Sequence, residues 1–164
     1  MIPSGASTSD LCDLHPDAVE SCELQLAQLG GVRHFEGRIV TFRSFEDNLV
    51  LKEIVAEPGH GRVLVVDTAG SLRVAMLGDN MAAQAAGNGW SGIIVNGAVR
   101  DVVALARLPI GVKAFGSNPR RSRKEGAGAR DIPVHFGGAT FLPGGYLVSD
   151  DDGVVVLPAP ARGA

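Results

Sequence analysis

The sequence predicts a layered α/β domain, and three observations carry that expectation. Strand-like and helix-like segments alternate through the middle of the chain, the pattern of stacked sheet and helix layers. Short runs of Val, Ile and Ala are punctuated by 22 glycines, as many short strands joined by tight loops require. With 164 residues, 45% hydrophobic and 20% charged, the chain suits one domain with a sizeable core and has the balance of a globular protein. A single domain over 1–164 is expected, with its core at about 8–157 and a loose tail at 158–164.

Thr8-Ser9-Asp10 offers helix-capping side chains, and residues 13–29 carry a mixed, partly helical pattern. Residues 37–42 form the first clear strand. Ser44 is placed to cap a helix in which Leu49, Val50, Ile54 and Val55 recur at helical spacing, stopped by Pro58-Gly59. The run Val63 to Val66 is unbroken and aliphatic, as in a strand buried on both faces. A second apolar run spans 72–77, followed by good helix formers over 79–86 that end at Gly87-Asn88-Gly89. Residues 92–95 predict another buried strand, with Asn96-Gly97 turning the chain. A helix is expected over 100–108, stopped by Pro109, then a strand over 110–115. A basic loop over 117–130 precedes four short strands near 134–136, 139–142, 146–148 and 154–157.

A net charge of −3 offers no global attraction to nucleic acid or to an acidic membrane surface. No apolar run approaches the ~18 residues that span a bilayer, and the first residues lack the features of a signal peptide, so a cytoplasmic location is expected. Cys12 and Cys22 match no metal or redox spacing and suit a reduced thiol pair.

Two segments carry candidate chemistry: Gly78-Asp79-Asn80-Met81 and Gly97-Ala98-Val99-Arg100-Asp101. A helix leaving the sheet at Asp79 and a strand returning before Arg100 would bring both to one rim, where open α/β folds bind ligands. Free N–H groups at the helix start suit a carboxylate. An aspartate can hold Mg²⁺ or Mn²⁺, and an adjacent arginine supplies a permanent positive fork for a carboxylate or a developing enolate. The competing account is a surface ion pair or a helix cap, which the spacing by itself favours.

Four stretches settle the family resemblance: residues 78–82, 92–101, 110–114 and 136–141. Together they resemble the regulator of ribonuclease activity A family, which includes the 4-hydroxy-4-methyl-2-oxoglutarate aldolases. The resemblance runs from about Thr8 to Leu157. It implies a β/β/α swivelling-type fold and a homotrimer, or a dimer of trimers, with active sites between subunits. Its aldolase branch carries Asp, twenty residues, then Arg-Asp, and Asp79, Arg100 and Asp101 match that pattern. The branch that inhibits an endoribonuclease commonly lacks the full set.

The resemblance further implies a small 2-oxo acid substrate, cleaved to pyruvate with the help of Mg²⁺ or Mn²⁺, and decarboxylation of oxaloacetate as a second activity. By position, Gly78, Asp79, Asn80 and Met81 would bind the substrate carboxylate or keto group. Arg100 would bind substrate and stabilise the enolate, Asp101 would hold the metal, and Asp79 would orient water or assist proton transfer. Some aldolases of this type carry an acidic residue three positions beyond the Arg-Asp aspartate, where this chain has Ala104. The alternative is a non-catalytic regulator with a ribonuclease partner.

Other features have plainer readings. The run Arg120-Arg121-Ser122-Arg123-Lys124 lacks interleaved aromatics, so a solvated loop, or one covering a neighbouring subunit's site, is expected over nucleic-acid binding. His15, His34, His60 and His135 lack ligand spacing, and Asp150-Asp151-Asp152-Gly153 lacks the spaced ligands of a calcium loop. A Schiff-base lysine would have to be desolvated; among Lys52, Lys113 and Lys124, only Lys113 lies in a predicted strand. Trp90 and Tyr146 suit packing roles. No glycine-rich nucleotide fingerprint follows a strand, which argues against a methyltransferase.

Overall fold

The computed structural model describes residues 2–158. The elements run α1 (Thr8–Leu14), β1 (Glu20–Ser21), β2 (Ala27–Gln28), β3 (Phe35–Arg43), α2 (Leu49–Val55), β4 (Val63–Asp67), β5 (Ala75–Leu77) and α3 (Asp79–Gly87). They continue with β6 (Gly92–Val99), α4 (Val102–Leu105), β7 (Gly111–Ser117), β8 (Ala129–Arg130), β9 (Val134–Phe136), β10 (Ala139–Phe141), β11 (Tyr146–Ser149) and β12 (Val154–Leu157). Ten strands form one sheet in the order β1-β12-β11-β3-β4-β6-β7-β2, with β5 paired to β6 and β8 to β3; β9 and β10 form a separate hairpin.

Strands β3, β4, β6 and β7 are parallel, and their aliphatic residues are covered on both faces. One face, with Val40, Phe42, Leu64, Val66, Ile93 and Val95, packs on α2, α3 and α4 through Leu51, Ile54, Ala82, Ala85 and Leu105. The other, with Ile39, Val63, Val65 and Ile94, packs on the hairpin through Val134, Phe136, Ala139 and Phe141. This explains why the strands around Val65 are continuously apolar and not alternating. Two glycines are dictated by one aromatic: the Phe35 ring lies where a side chain at Gly92 or Gly111 would project, with an added Cβ 2.2 and 2.0 Å from ring carbons.

Several sequence expectations are corrected. Residues 13–29 are not a helix: α1 stops at Leu14, before Pro16, and two-residue strands follow. Ser7, not the Thr8-Ser9-Asp10 run, caps α1 by accepting the Asp10 N–H at 3.1 Å. Ser44 does not cap α2; its hydroxyl donates to the Ala127 carbonyl, and α2 begins five residues later, at Leu49 behind Asn48. Asn96-Gly97 does not turn the chain. It forms an irregularity within β6, whose register with β7 shifts between Val95 and Ala98. The Asn96 amide donates to Asp67 Oδ1 at 3.0 Å, and a Cβ on Gly97 would fall 2.1 Å from Thr68 Cγ2. An Asn-Gly pair that favours turns in isolation is thus absorbed into a long strand by its neighbours. The helix expected over 100–108 shrinks to the four residues of α4, and Arg100 and Asp101 lie outside it. Of the expected tail, residues 159–164 lie outside the described residues.

Candidate active site

Strand β6 outlasts β4. Beyond Asn96 it pairs instead with β5, matching Ala98 to Ala75 and Val99 to Leu77. The two strands are parallel, so both release the chain at one rim of the sheet: β5 into Gly78 and α3, β6 into Arg100 and Asp101. The Arg100 N–H donates to the Leu77 carbonyl at 2.9 Å, which locks the two exits side by side. Asp101 has φ +60°, a left-handed conformation that aspartate tolerates better than most residues. That kink swings its carboxylate back, and Oδ2 accepts the Asp79 N–H at 3.2 Å.

Gly78, the N-cap of α3, makes this approach possible. A Cβ there would lie 2.7 Å from Asp101 Oδ2 and 3.4 Å from Arg100 Cγ. Asp79 turns its own carboxylate onto the helix end, with Oδ1 accepting the Asn80 N–H at 2.9 Å. The Arg100 guanidinium is 3.8 Å from Asp101 Oδ2 at Nε and reaches the Pro119 carbonyl at 3.4 Å from Nη1. Those contacts are long, and the side chain keeps a third of its surface exposed, so most of its donors face outward.

These groups surround a cleft of about 220 Å³ lined by Gly78, Asp79, Asn80, Met81, Arg100 and Asp101. Its remaining polar lining is Asn48, the N-cap of α2, Lys52 from within that helix, and Arg121, Ser122 and Lys124 from the loop after β7. That loop, expected to be solvated or to cover a neighbouring subunit's site, keeps Arg120, Arg121, Arg123 and Lys124 exposed and at the same time folds back onto its own sheet. Residue 121 bridges to Ala75, Ser122 is buried with its hydroxyl donating to the Ala75 carbonyl at 2.7 Å, and Lys124 Nζ donates to Asn48 Oδ1 at 2.9 Å. Asn48 and Lys52 carried no local motif, and only the tertiary fold brings them to Arg100.

Asp47 anchors this second wall. It is fully buried, and its carboxylate accepts the N–H groups of Leu49, Glu125, Gly126 and Ala127 at 2.9–3.3 Å. Burial works against its ionisation, but the four backbone donors outweigh it and hold the carboxyl below its usual range. Next to it, Arg73 and the Ser71 hydroxyl hold Glu46 down at about 2. Lys113 is buried in β7, away from the cleft. It donates to the Asp150 and Gly153 carbonyls and so ties β7 to the β11–β12 turn, which leaves no free amine for a Schiff base there. Burial pushes its ammonium pKa down.

A divalent cation can be tested against this donor set. Among the described residues no group of three or more His, Cys, Asp or Glu side chains could cage a metal. What the cleft offers is Asp101, whose Oδ1 takes no protein hydrogen bond among the described residues, with the Asp79 carboxylate nearby. One or two hard oxygens beside room for water and substrate suit Mg²⁺ or Mn²⁺, which keep several waters, and do not suit a structural zinc.

Comparison with known proteins agrees in extent and in kind. The family model described as "RraA-like: Aldolase/RraA" matches residues 8–156. A Pseudomonas syringae pv. tomato protein named "Putative 4-hydroxy-4-methyl-2-oxoglutarate aldolase" is 51% identical over 153 residues, covering 93% of this chain and 94% of that protein. Among solved structures, the RNA-processing inhibitor RraA from Thermus thermophilis superposes with a TM-score of 0.91 at 44% identity, covering 97% of this chain and 96% of that one. A Geobacillus kaustophilus structure titled S-adenosylmethionine: 2-dimethylmenaquinone methyltransferase matches with the same TM-score and identity, over 97% and 99% of the two chains. On the extent of these matches, this chain belongs to the RraA-like (Aldolase/RraA) family.

Proposed function

We propose that the protein is a metal-dependent lyase that cleaves 4-hydroxy-2-oxo acids of the 4-hydroxy-4-methyl-2-oxoglutarate type to pyruvate. The observation that carries this reading is the convergence of Asp79, Arg100 and Asp101 on one cleft, with Asp101 Oδ2 3.2 Å from the Asp79 nitrogen. The relative at 51% identity whose name describes such an aldolase supports it.

Asp101, with Asp79 nearby, would hold Mg²⁺ or Mn²⁺, and the bound cation would supply Lewis-acid polarisation of the 2-oxo group. The chain's own groups account for the rest. The outward-facing Arg100 guanidinium binds the 2-oxo acid and neutralises charge developing on its C2 oxygen. Asp79, at the helix start, orients water for removal of the C4 hydroxyl proton. As that proton leaves, the C4 oxygen becomes a carbonyl, the C3–C4 bond breaks, and its electron pair passes into the C2–C3 enolate of pyruvate. Protonation at C3 completes the reaction. Loss of CO₂ from oxaloacetate passes through the same enolate, so decarboxylation is the expected second activity. The same reading takes the layers as the swivelling type and the working assembly as a trimer.

Pyruvate release, coupled to a reporter dehydrogenase, tests the reading with both substrates. EDTA should abolish release and Mg²⁺ or Mn²⁺ restore it. Absence of turnover with either metal, together with tight capture of a ribonuclease, would establish instead the regulator reading that the RraA structure at 44% identity favours.

A further inference from the structure

Strands β3, β4 and β6 carry one more row of side chains beyond those that the hairpin covers. Val65 and Ile94 pair in register against the hairpin; two residues on, and so on the same face, Asp67 pairs with Asn96, and Arg43 lies in register beside Asp67. Arg43 and Asp67 carry opposite charges on neighbouring strands, yet among the described residues no ion pair forms between them. Asp67 is held from the β6 side instead. Its Oδ1 accepts the Asn96 amide and the Ala69 N–H, both at 3.0 Å, in a turn where Ala69 takes φ +57°. Among the described residues its Oδ2 takes no protein hydrogen bond, and the exposed Arg43 guanidinium donates none.

Both residues line a cleft of about 340 Å³ at the carboxyl ends of β3 and β4, the rim at which parallel sheets take ligands. It shares no lining residue with the cleft at Arg100. Phe45 forms an apolar wall, exposed and with the Arg73 guanidinium over its ring at 5.9 Å, and Gly128 and Ala129 close another side. We infer that this cleft is a second binding site, one that takes an apolar α-amino acid as a zwitterion between Arg43 and Asp67. An amino acid carries its carboxylate and its ammonium on one carbon, so a single molecule presents both charges to side chains rooted one strand spacing, about 4.8 Å, apart. Arg43 receives the carboxylate with its fork of donors, Asp67 Oδ2 accepts from the ammonium, and the apolar side chain lies against Phe45. A simple anion would meet the charge of Asp67, and a simple cation that of Arg43. Because Asn96 and Ala69 fix the Asp67 carboxylate, the two protein charges stay apart and the site is organised before the ligand arrives.

Calorimetric titration of the full chain with L-phenylalanine and L-leucine tests the assignment. At least one should bind, with one molecule per chain. The analogues that lack one of the two charges, phenylpropanoate and phenethylamine for the first and isocaproate and isoamylamine for the second, should bind roughly tenfold to a hundredfold more weakly, the range expected of one charged hydrogen bond. Arg43→Gln should weaken amino-acid binding by the same range, and so should Asp67→Asn, whose side-chain oxygen can still accept from Asn96 and Ala69. Arg43 is exposed and donates no side-chain hydrogen bond among the described residues, so its glutamine variant should melt with the wild type. Absence of binding of both amino acids at millimolar concentration, equal affinity for the singly charged analogues, or affinity untouched in Arg43→Gln overturns the assignment. Binding that is lost in Arg100→Ala and kept in Arg43→Gln puts the amino acid in the other cleft and overturns it too. None of these outcomes involves pyruvate release, so the lyase reading stands or falls separately.

Discussion

Arg100 is the residue whose removal should cost most in catalysis and least in folding. Among the described residues its guanidinium makes only long contacts, at 3.8 and 3.4 Å, so Arg100→Ala should melt near the wild-type temperature. Its kcat/KM for pyruvate release should fall by about 10²–10³, the loss typical of removing one donor to a developing oxyanion. Asp47 is the opposite case. Four backbone N–H groups end on its buried carboxylate, so Asp47→Asn, which turns an NH₂ toward some of them, should destabilise the fold by about 2–3 kcal/mol at pH 7 in urea denaturation. The pH dependence follows from the same contacts. Asp47 and Glu46 are both held below the usual carboxylate range, so each contributes stability above the unfolded-state value near 4, and that contribution is lost as the pH falls below that value, for Glu46 on approaching about 2. The gap between wild type and Asp47→Asn should therefore narrow across that window in acid-unfolding curves; a constant gap would show that the carboxylate is not the linked group.

At the level of elements, the parallel β5–β6 pairing determines where the chemistry can sit. Two chain exits at one rim, joined by the hydrogen bond between Arg100 N–H and Leu77, hold Asp79 and Asp101 together without any direct motif between them. The same sheet rests on a tight steric match at Phe35. Gly111→Ala would place a methyl 2.0 Å from a ring carbon, so the ring or the strand must move. A loss of about 1–3 kcal/mol is expected, as for other overpacked cores, and a wild-type urea midpoint would mean that Phe35 can rotate away at little cost. The central strands were legible in the sequence because burial on both faces leaves unbroken aliphatic runs such as Val63 to Val66. The segment at 13–29 was not, because its side chains serve short edge strands and turns whose partners, β12 and β7, lie far along the chain.

For the whole molecule, the exposed apolar side chains bear on assembly. Phe45, Val103 and Phe115 are each at least two-fifths exposed, although the two sheet faces are otherwise well covered. Single exposed residues are ordinary, but the proposed trimer would give these a place to be buried. Light scattering behind size-exclusion chromatography should give three times the 17.0 kDa chain mass, or six times for paired trimers. A monomer at micromolar concentration would remove the trimer from the proposal. Among the described residues no helix is long and apolar enough to cross a membrane.

What the sequence determined by itself was the alternation of strand and helix, the buried parallel strands and the two segments at 78–81 and 100–101. Each of these follows from local pattern: periodicity, glycine punctuation and the polarity of neighbouring residues. Only the tertiary structure decided that Asn96-Gly97 lies within a strand, that the basic loop forms a wall of the cleft, and that Asn48, Lys52 and Lys124 face the Arg100 side. Those outcomes depend on contacts between residues twenty to eighty positions apart, such as Asn96 with Asp67 and Lys124 with Asn48. A polar side chain records nothing in its immediate neighbours about which distant carbonyl or carboxylate it will meet.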